Sequence, residues 1–323
     1  MVTKKKYYGR VAVLVATYNG EAYVKQQLDS ILSQKNISNF DYQVYVYDDG
    51  STDKTSEILR GYQHSIRMVP KDKNYQGVKS AIYTLLLNVD ADYYYFADQD
   101  DVWEPNKVEE MQLLWRKLNS NEPGGVYSDL LLVDKENNSL QTTMLGINGW
   151  SKGEKRDLSF LLFDPRVTGA AFSINREARN LIVQLPKDEF MKVTMHDSFL
   201  ALVISAFNNL VFLPKPLVRY RQHGNNQIGA KRSFLQRVDI VHRIRFLKNR
   251  LNDILILEQL APALPGGVSD ELKIFSEFAV RRNPLKRLGI VAKYRSYWRN
   301  TSKLKLALII LSCIPADNSL RGK

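Results

Sequence analysis

From residue 10 to about 118 the chain alternates short apolar runs with segments whose apolar residues recur every three or four positions. Val11-Ala12-Val13-Leu14-Val15-Ala16 is uninterrupted, as a strand covered on both faces requires. Val24, Leu28 and Ile31 then mark one face of a helix. Residues 42–47 predict a second strand, and Ile58, Leu59 and Tyr62 the buried side of a second helix. Val78, Ile82, Leu85 and Leu86 predict a third helix, residues 93–97 a third strand, and Val108, Met111, Leu114 and Leu118 a fourth helix. Strand–helix alternation with short connections predicts right-handed βαβ units and a parallel sheet. Such sheets bind ligands beyond the carboxyl ends of their strands. Here those ends read Thr17-Tyr18-Asn19-Gly20, Asp48-Asp49-Gly50-Ser51-Thr52-Asp53 and Asp98-Gln99-Asp100-Asp101, three polar clusters expected to share one crevice.

Beyond residue 120 the pattern changes. Residues 125–133 and 167–174 predict strands, with a loop region over 135–156. Residues 195–206 predict a helix, and 210–220 a strand despite Pro214 and Pro216. From Ser233 onward, Leu235, Val238, Val241 and Ile244 fall at helical spacing. These changes predict a body over 1–229 and a helical extension over 230–323. Charge sharpens that division, because nineteen of the 46 basic but only seven of the 34 acidic residues lie in 230–323, so the net charge of +12 resides there and the body is neutral. Hydrophobic residues at 44% and charged residues at 25% exclude wholesale disorder. A single cysteine, Cys313, excludes an intrachain disulfide framework. The opening MVTKKKYYGR has no small-residue cleavage site, and no uncharged apolar run reaches the ~20 residues of a spanning helix. A cytoplasmic location is expected.

Three carboxylates within Asp98-Gln99-Asp100-Asp101 repel one another unless solvent or a cation offsets them. Alternating carboxylates suit Mg²⁺ or Mn²⁺, which share oxygen ligands with substrate phosphates. A solvated turn opening the next helix is the structural alternative. Asp48 and Asp49 could accept from a base N–H or a ribose hydroxyl, and the same stretch also supplies helix caps. Thr17-Tyr18-Asn19-Gly20 is neither GxGxxG nor GxxxxGK, which disfavours a standard Rossmann or P-loop site.

The ordered set Val15 to Gly20, Tyr47 to Asp53, Asn74-Tyr75-Gln76-Gly77 and Phe96 to Trp103 resembles the family 2 glycosyltransferases, whose α/β fold is the nucleotide-sugar-binding GT-A domain. The resemblance covers about residues 10–229. Thr168-Gly169-Ala170-Ala171, His196-Asp197 and Arg221-Gln222-His223-Gly224-Asn225-Asn226 resemble the bacterial polysaccharide branch often assigned as rhamnosyltransferases. The resemblance implies that Thr17, Tyr18 and Asn19 meet the nucleotide, that Asp48 or Asp49 binds base or ribose, and that Lys79 and Gln99 line the donor site. It implies Asp98 and Asp100 as the D-x-D pair, with Asp100 the direct metal ligand and His223 beside it. Asp197 matches the catalytic base, although the family often has Glu where this chain has His196. Trp103, Asp129, Thr168, Gly169 and His196 are candidates for the acceptor or sugar pocket. The implied reaction is metal-dependent, inverting transfer of a sugar, first of all rhamnose from dTDP-rhamnose, to a hydroxyl of a growing, lipid-linked cell-surface polysaccharide. A UDP-hexose donor is the alternative within the fold.

Arg281, Arg282, Lys286, Arg287, Lys293, Arg295, Arg299, Lys303 and Lys305 interleave with Tyr294, Tyr297, Trp298 and the 304–311 apolar run. Cations beside apolar groups suit an anionic bilayer surface, which predicts peripheral attachment to the inner face of the cell membrane. A solvated basic face or a homo-oligomer interface is the other reading. Nucleic-acid binding is not expected, because zinc-finger and RRM signatures are missing. A sugar nucleotidyltransferase is disfavoured by the lack of a glycine- and arginine-rich N-terminal loop.

Overall fold

The computed structural model describes residues 9–154, 156–222, 240–298, 303–311 and 315–316. It divides into two compact units that do not follow chain order. The first comprises Met1–Glu154, Val167–Val183 and Leu210–Ala230; the second comprises Lys155–Arg166, Gln184–Asn209 and Lys231–Lys323.

In chain order the elements begin β1 (Arg10–Thr17), α1 (Val24–Leu32), β2 (Asp41–Asp48), α2 (Thr55–Gly61), β3 (Ile66–Met68), α3 (Val78–Asn88), β4 (Tyr93–Ala97), β5 (Val102–Trp103) and α4 (Lys107–Trp115). They continue with β6 (Gly125–Val133), β7 (Ser139–Thr143), α5 (Met144–Asn148), α6 (Leu158–Phe163), β8 (Phe172–Asn175), α7 (Arg176–Ile182), α8 (Lys187–Lys192), α9 (His196–Ser205) and β9 (Leu210–Arg221). The helices α10 (Ile240–Glu258), α11 (Gly266–Val280), α12 (Pro284–Lys293) and α13 (Lys303–Leu311) follow.

The strands of the first unit form one sheet in the order β3-β2-β1-β4-β8-β6-β9-β5, with β7 paired to β6. The β3-β2-β1-β4 half is parallel, as the alternation predicts. In the other half β8 runs antiparallel to β4 and β6, while β9 returns parallel to β6. Val11, Val13 and Val15 and the intervening Ala12 and Leu14 are all buried, which accounts for the unbroken apolar run of β1. Val24, Leu28 and Ile31 of α1 and Val108, Met111 and Trp115 of α4 pack into the same core.

Two expectations change, and the strand expected over 210–220 is kept. Residues 167–174 are not one strand, because Gly169–Ala171 form a 3₁₀ turn whose Ala170 carbonyl accepts from the buried Lys107 Nζ at 2.8 Å instead of from a sheet neighbour. The 135–156 region carries β7 and α5, anchored where Asp129 Oδ1 accepts from Leu145 N at 3.0 Å. Pro214 and Pro216 fit within β9 because the β6 pairing shifts register on either side of Asp129, where no ladder bond from a proline is needed.

The second unit is helical. Trp298 packs on Phe163, Phe275 and Phe278, with ring centroids 6.1, 4.9 and 4.6 Å away. It is 4% exposed, so it belongs to the core and not to the interfacial set proposed for the tail. Arg287, counted there too, is fully buried. Two guanidiniums, Arg250 and Arg287, lie inside this unit, and each is hydrogen-bonded to backbone carbonyls, as burial of a charge demands. Among the described residues no helix is long and apolar enough to cross a membrane.

Candidate active site

The carboxyl ends of β2, β1 and β4 lie side by side, with Thr17 opposite Asp48 and Val15 opposite Ala97. The polar clusters predicted to converge are therefore neighbours in the sheet. Asp48 is fully engaged locally: its carboxylate accepts from Thr17 Oγ1 at 3.0 Å, Ser51 Oγ at 2.5 Å, Ser51 N at 3.2 Å and Ser56 Oγ at 3.2 Å. Thr17 is 2% exposed, so its hydroxyl positions Asp48. Asp49 differs. Its Oδ2 accepts from Gly77 N at 2.6 Å, whereas the buried Oδ1 has no hydrogen-bond partner. Gly77 adopts φ +89, a left-handed conformation that aims its N–H at Asp49 without a Cβ penalty. Lys71 Nζ donates to the Asp49 carbonyl at 2.6 Å and lies 3.8 Å from Oδ1.

The turn after β1 is built around Gln99. Tyr18 N donates to Gln99 Oε1 at 2.8 Å, and Gln99 Nε2 donates to the Tyr18 carbonyl at 2.9 Å. A Cβ on Gly20 would sit 2.4 Å from Gln99 Oε1, so a side chain there would displace the Gln99 amide from Tyr18. Asn19, at φ +47, accepts from Thr52 N at 2.8 Å and joins the end of β1 to the start of α2. The result is a rigid platform from which the Tyr18 side chain, 56% exposed, projects. Lys79 is half-buried in the first turn of α3.

Beyond β4, Asp98 and Asp100 are half-buried and Asp101 is buried. Asp101 Oδ1 accepts from Arg221 N at 3.0 Å, and its Oδ2 has no hydrogen-bond partner. Burial pushes the Asp101 carboxyl well above the ordinary carboxylate range, and the charges of Asp100 and Asp98 push the same way. Arg221 also clasps this loop: Nε donates to the Asp100 carbonyl at 2.7 Å, Nη1 to the Lys135 carbonyl at 2.6 Å and Nη2 to Gln26 Oε1 at 2.6 Å. Its guanidinium lies 4.6 Å from the Tyr23 ring centroid. Among the described residues no group of three or more His, Cys, Asp or Glu is placed to hold a metal by itself. Two carboxylates together with phosphate oxygens are hard-oxygen donors of the kind Mg²⁺ uses.

Trp103 does not offer the acceptor shelf suggested for it. It is 2% exposed, with Lys107 Nζ 3.4 Å from its ring centroid and Tyr95 against it at 6.2 Å. Burial holds the Lys107 ammonium well below its ordinary value, against the opposing pull of Asp101 and Asp98. Asp129, 7% exposed, accepts from Leu130 N and Leu145 N and acts as a brace. Thr168 precedes the buried Gly169–Ala171 turn. His223 lies outside the described residues.

His196 and Asp197 belong to the second unit, in the first turn of α9, and are 3% and 5% exposed. Asp197 is not the N-cap, a position held by Met195; its Oδ1 accepts from Ser198 N at 2.6 Å. Beneath this turn lies Arg250. Its Nη1 donates to Ser198 Oγ at 3.1 Å and Asp253 Oδ2 at 2.7 Å, its Nε to the Leu162 carbonyl and its Nη2 to the Leu161 carbonyl. Asp253 Oδ1 in turn accepts from Thr194 N at 2.8 Å. Burial lowers the Arg250 guanidinium below its ordinary value, and the charges of Asp253 and Asp197 oppose that shift.

Sequence reasoning passed over Arg221, Lys71 and Arg250. Arg221 stands in the Arg-Gln-His run that drew attention to His223, so its motif was visible although its role was not. Lys71 and Arg250 carry no local signal.

A family model described as Glycosyl transferase family 2 matches residues 12–178. The chain is 29% identical over 232 residues to the dTDP-rhamnosyl transferase RfbG of Shigella flexneri, a match covering 68% of this chain and 75% of that one. It is 30% identical over 220 residues to an uncharacterised glycosyltransferase of Rickettsia prowazekii, covering 67% of this chain and just under two thirds, 65%, of that relative. The crystal structure of S. aureus TarS 1-349 in complex with UDP-GlcNAc is similar in fold, with a TM-score of 0.54 over 95% of this chain and 82% of that chain at 13% identity.

Proposed function

The chain belongs to glycosyl transferase family 2 and is a glycosyltransferase of GT-A fold, and on that premise we propose that it transfers rhamnose from dTDP-rhamnose, with inversion, to a hydroxyl of a growing lipid-linked glycan. The carrying observation is the adjacency of the β2, β1 and β4 ends. The exposed Tyr18, the Asp49 carboxylate whose Oδ1 accepts no hydrogen bond, and the Asp98-to-Asp101 loop all follow these adjacent strand ends. Tyr18 offers a face for a base, and Asp49 rather than Asp48 retains an oxygen for a base N–H or a ribose hydroxyl. Likeness to a dTDP-rhamnosyl transferase supports the donor.

Asp100 and Asp98, with His223, would hold a divalent cation, Mg²⁺ or Mn²⁺, which supplies charge neutralisation at the departing diphosphate when bound. Arg221 keeps the loop that bears these carboxylates in place through the Asp100 carbonyl and Asp101. The Asp197 carboxylate takes the proton of the acceptor hydroxyl as its oxygen attacks the anomeric carbon. The new C–O bond forms while the bond to the diphosphate oxygen breaks, and the electron pair leaves with the nucleotide. Proton removal by a positioned carboxylate contributes a factor of about 10²–10⁴.

Thermal-shift titration with dTDP, dTDP-rhamnose, UDP and UDP-hexoses, each with Mg²⁺ or Mn²⁺, tests the donor site. A ligand at about a hundred times its Kd stabilises by about 2.7 kcal/mol. A shift largest with dTDP-rhamnose is expected. A response confined to UDP-hexoses reassigns the donor, and no response to any nucleotide removes the site.

A further inference from the structure

We propose that α12 docks the enzyme on an anionic bilayer surface, with Leu285 and Leu288 seated among acyl chains and the lysines beside them against lipid phosphates. Leu285 is 76% and Leu288 52% exposed. Together with Gly289 and Ala292, both exposed, they make a stripe at positions i, i+3, i+4 and i+7 of one helix. Arg287 and Ile290 occupy the opposite, buried face. Lys286 and Lys293, seven residues apart and exposed, border the stripe on one side.

The outward aim of the leucines is built in. Asn283 caps the helix by accepting from Leu285 N at 2.9 Å and Lys286 N at 3.2 Å, and Pro284 fills its first turn. On the inner face Arg287 donates through Nη1 to the Ile309 carbonyl at 2.5 Å and through Nη2 to the Ala279 carbonyl at 3.2 Å, and it packs 5.1 Å from the Phe278 ring centroid. Rolling the helix to bury the leucines would strip a sealed guanidinium of these partners, so the exposed stripe is the stable state. The two leucines are thus held facing outward on this helix.

Charge selects the occupant. Residues 278–316 contain no Asp or Glu, and Arg282, Lys286, Lys293, Arg295 and Lys303 are exposed. A second copy of the chain would bring like charges together, whereas an anionic bilayer supplies apolar depth for the leucines and phosphates for the cations. Ten residues of helix span about 15 Å, half of a bilayer's hydrocarbon core, so α12 lies in the interface plane. The role of this surface rests on the reading of a lipid-linked acceptor, but the binding itself can be measured without it.

Full-length protein is sedimented with vesicles of phosphatidylcholine alone or mixed with phosphatidylglycerol. Pelleting with the anionic vesicles only is expected. The variant carrying Leu285→Ser and Leu288→Ser should lose about tenfold in partitioning, and one carrying Lys286→Gln and Lys293→Gln a similar amount at low salt. Both should keep the wild-type unfolding midpoint and turnover with a water-soluble acceptor. Wild-type-like pelleting of the leucine variant overturns the proposal, as does failure of the wild type to pellet with either vesicle. A drop in oligomeric mass on light scattering, confined to the leucine variant, assigns the stripe to a second copy and overturns it as well. Lack of turnover in the wild type with every soluble acceptor and donor would count against the transferase reading and leave the vesicle result intact.

Discussion

The two units handle charge in opposite ways. Along the rim of β2, β1 and β4 the charged groups include carboxylates held mainly by neutral donors, Asp48 by hydroxyls and Asp49 by the Gly77 N–H. In the helical unit the notable charges are guanidiniums sealed inside, Arg250 matched by carbonyls and Asp253, and Arg287 bonded through its two Nη groups to carbonyls. A carboxylate positioned by neutral donors keeps its negative potential and can recruit a cation. A guanidinium whose donors are matched indoors is structural. The rim should therefore fail in activity before stability, and the two sealed guanidiniums in stability before activity.

The largest expected effects are on the chemistry, at the proposed base Asp197 of the helical unit and at Asp100 of the rim. Asp197→Asn should lower turnover by about 10²–10⁴ while donor binding by thermal shift is kept. Asp100→Ala should cost about 10³-fold in kcat/KM with little change in unfolding midpoint. Wild-type-like turnover in either variant would end that residue's assignment, and a collapse of the midpoint in Asp100→Ala would make the rim structural too. Next in size is the interior. Arg250→Met leaves Asp253 buried without its cation and should destabilise by about 3–5 kcal/mol in urea unfolding, with much of that restored when Asp253 is also replaced by an apolar residue. Retention of full stability in the single variant would show that the buried pair does not support the unit.

Glu271 sharpens the comparison further. Burial pushes its carboxyl up from 4.5 to about 7, and the charge of Asp157 adds to the shift. The folded chain thus binds a proton more tightly than the unfolded chain between those two values. Stability should fall as pH rises through that window, by roughly 2 kcal/mol after allowance for its partial exposure, and Glu271→Gln should flatten the curve. An unaltered pH profile in the variant would remove Glu271 as the cause. The smallest effect belongs to the surface pair of Lys25 and Asp29, 2.7 Å apart. Lys25, then Tyr62, holds the Asp29 carboxyl below its ordinary 3.8, so its contribution is lost only as pH falls below that value. Asp29→Ala should cost less than about 1 kcal/mol at pH 7, and a larger loss would show that exposed carboxylates also carry stability in the first unit.

The sequence by itself determined the strand–helix alternation, the parallel half-sheet and the three polar strand ends, because each is written in the spacing of neighbouring residues. It also determined where the net charge accumulates. It did not determine which of those cations point outward. Arg287 and Trp298 read as members of a basic, aromatic surface and proved to be interior, while Leu285 and Leu288, not among those residues, are exposed. Nor did it distinguish Asp48, saturated by its own turn, from Asp49, which is held by Gly77 and Lys71 approaching from 28 and 22 residues away. Arg221 reaches the acidic loop across 120 positions. Periodicity reports the environment of a local segment. The partner of a buried polar group is decided by whichever distant segment packs against it, and only the tertiary structure makes that choice.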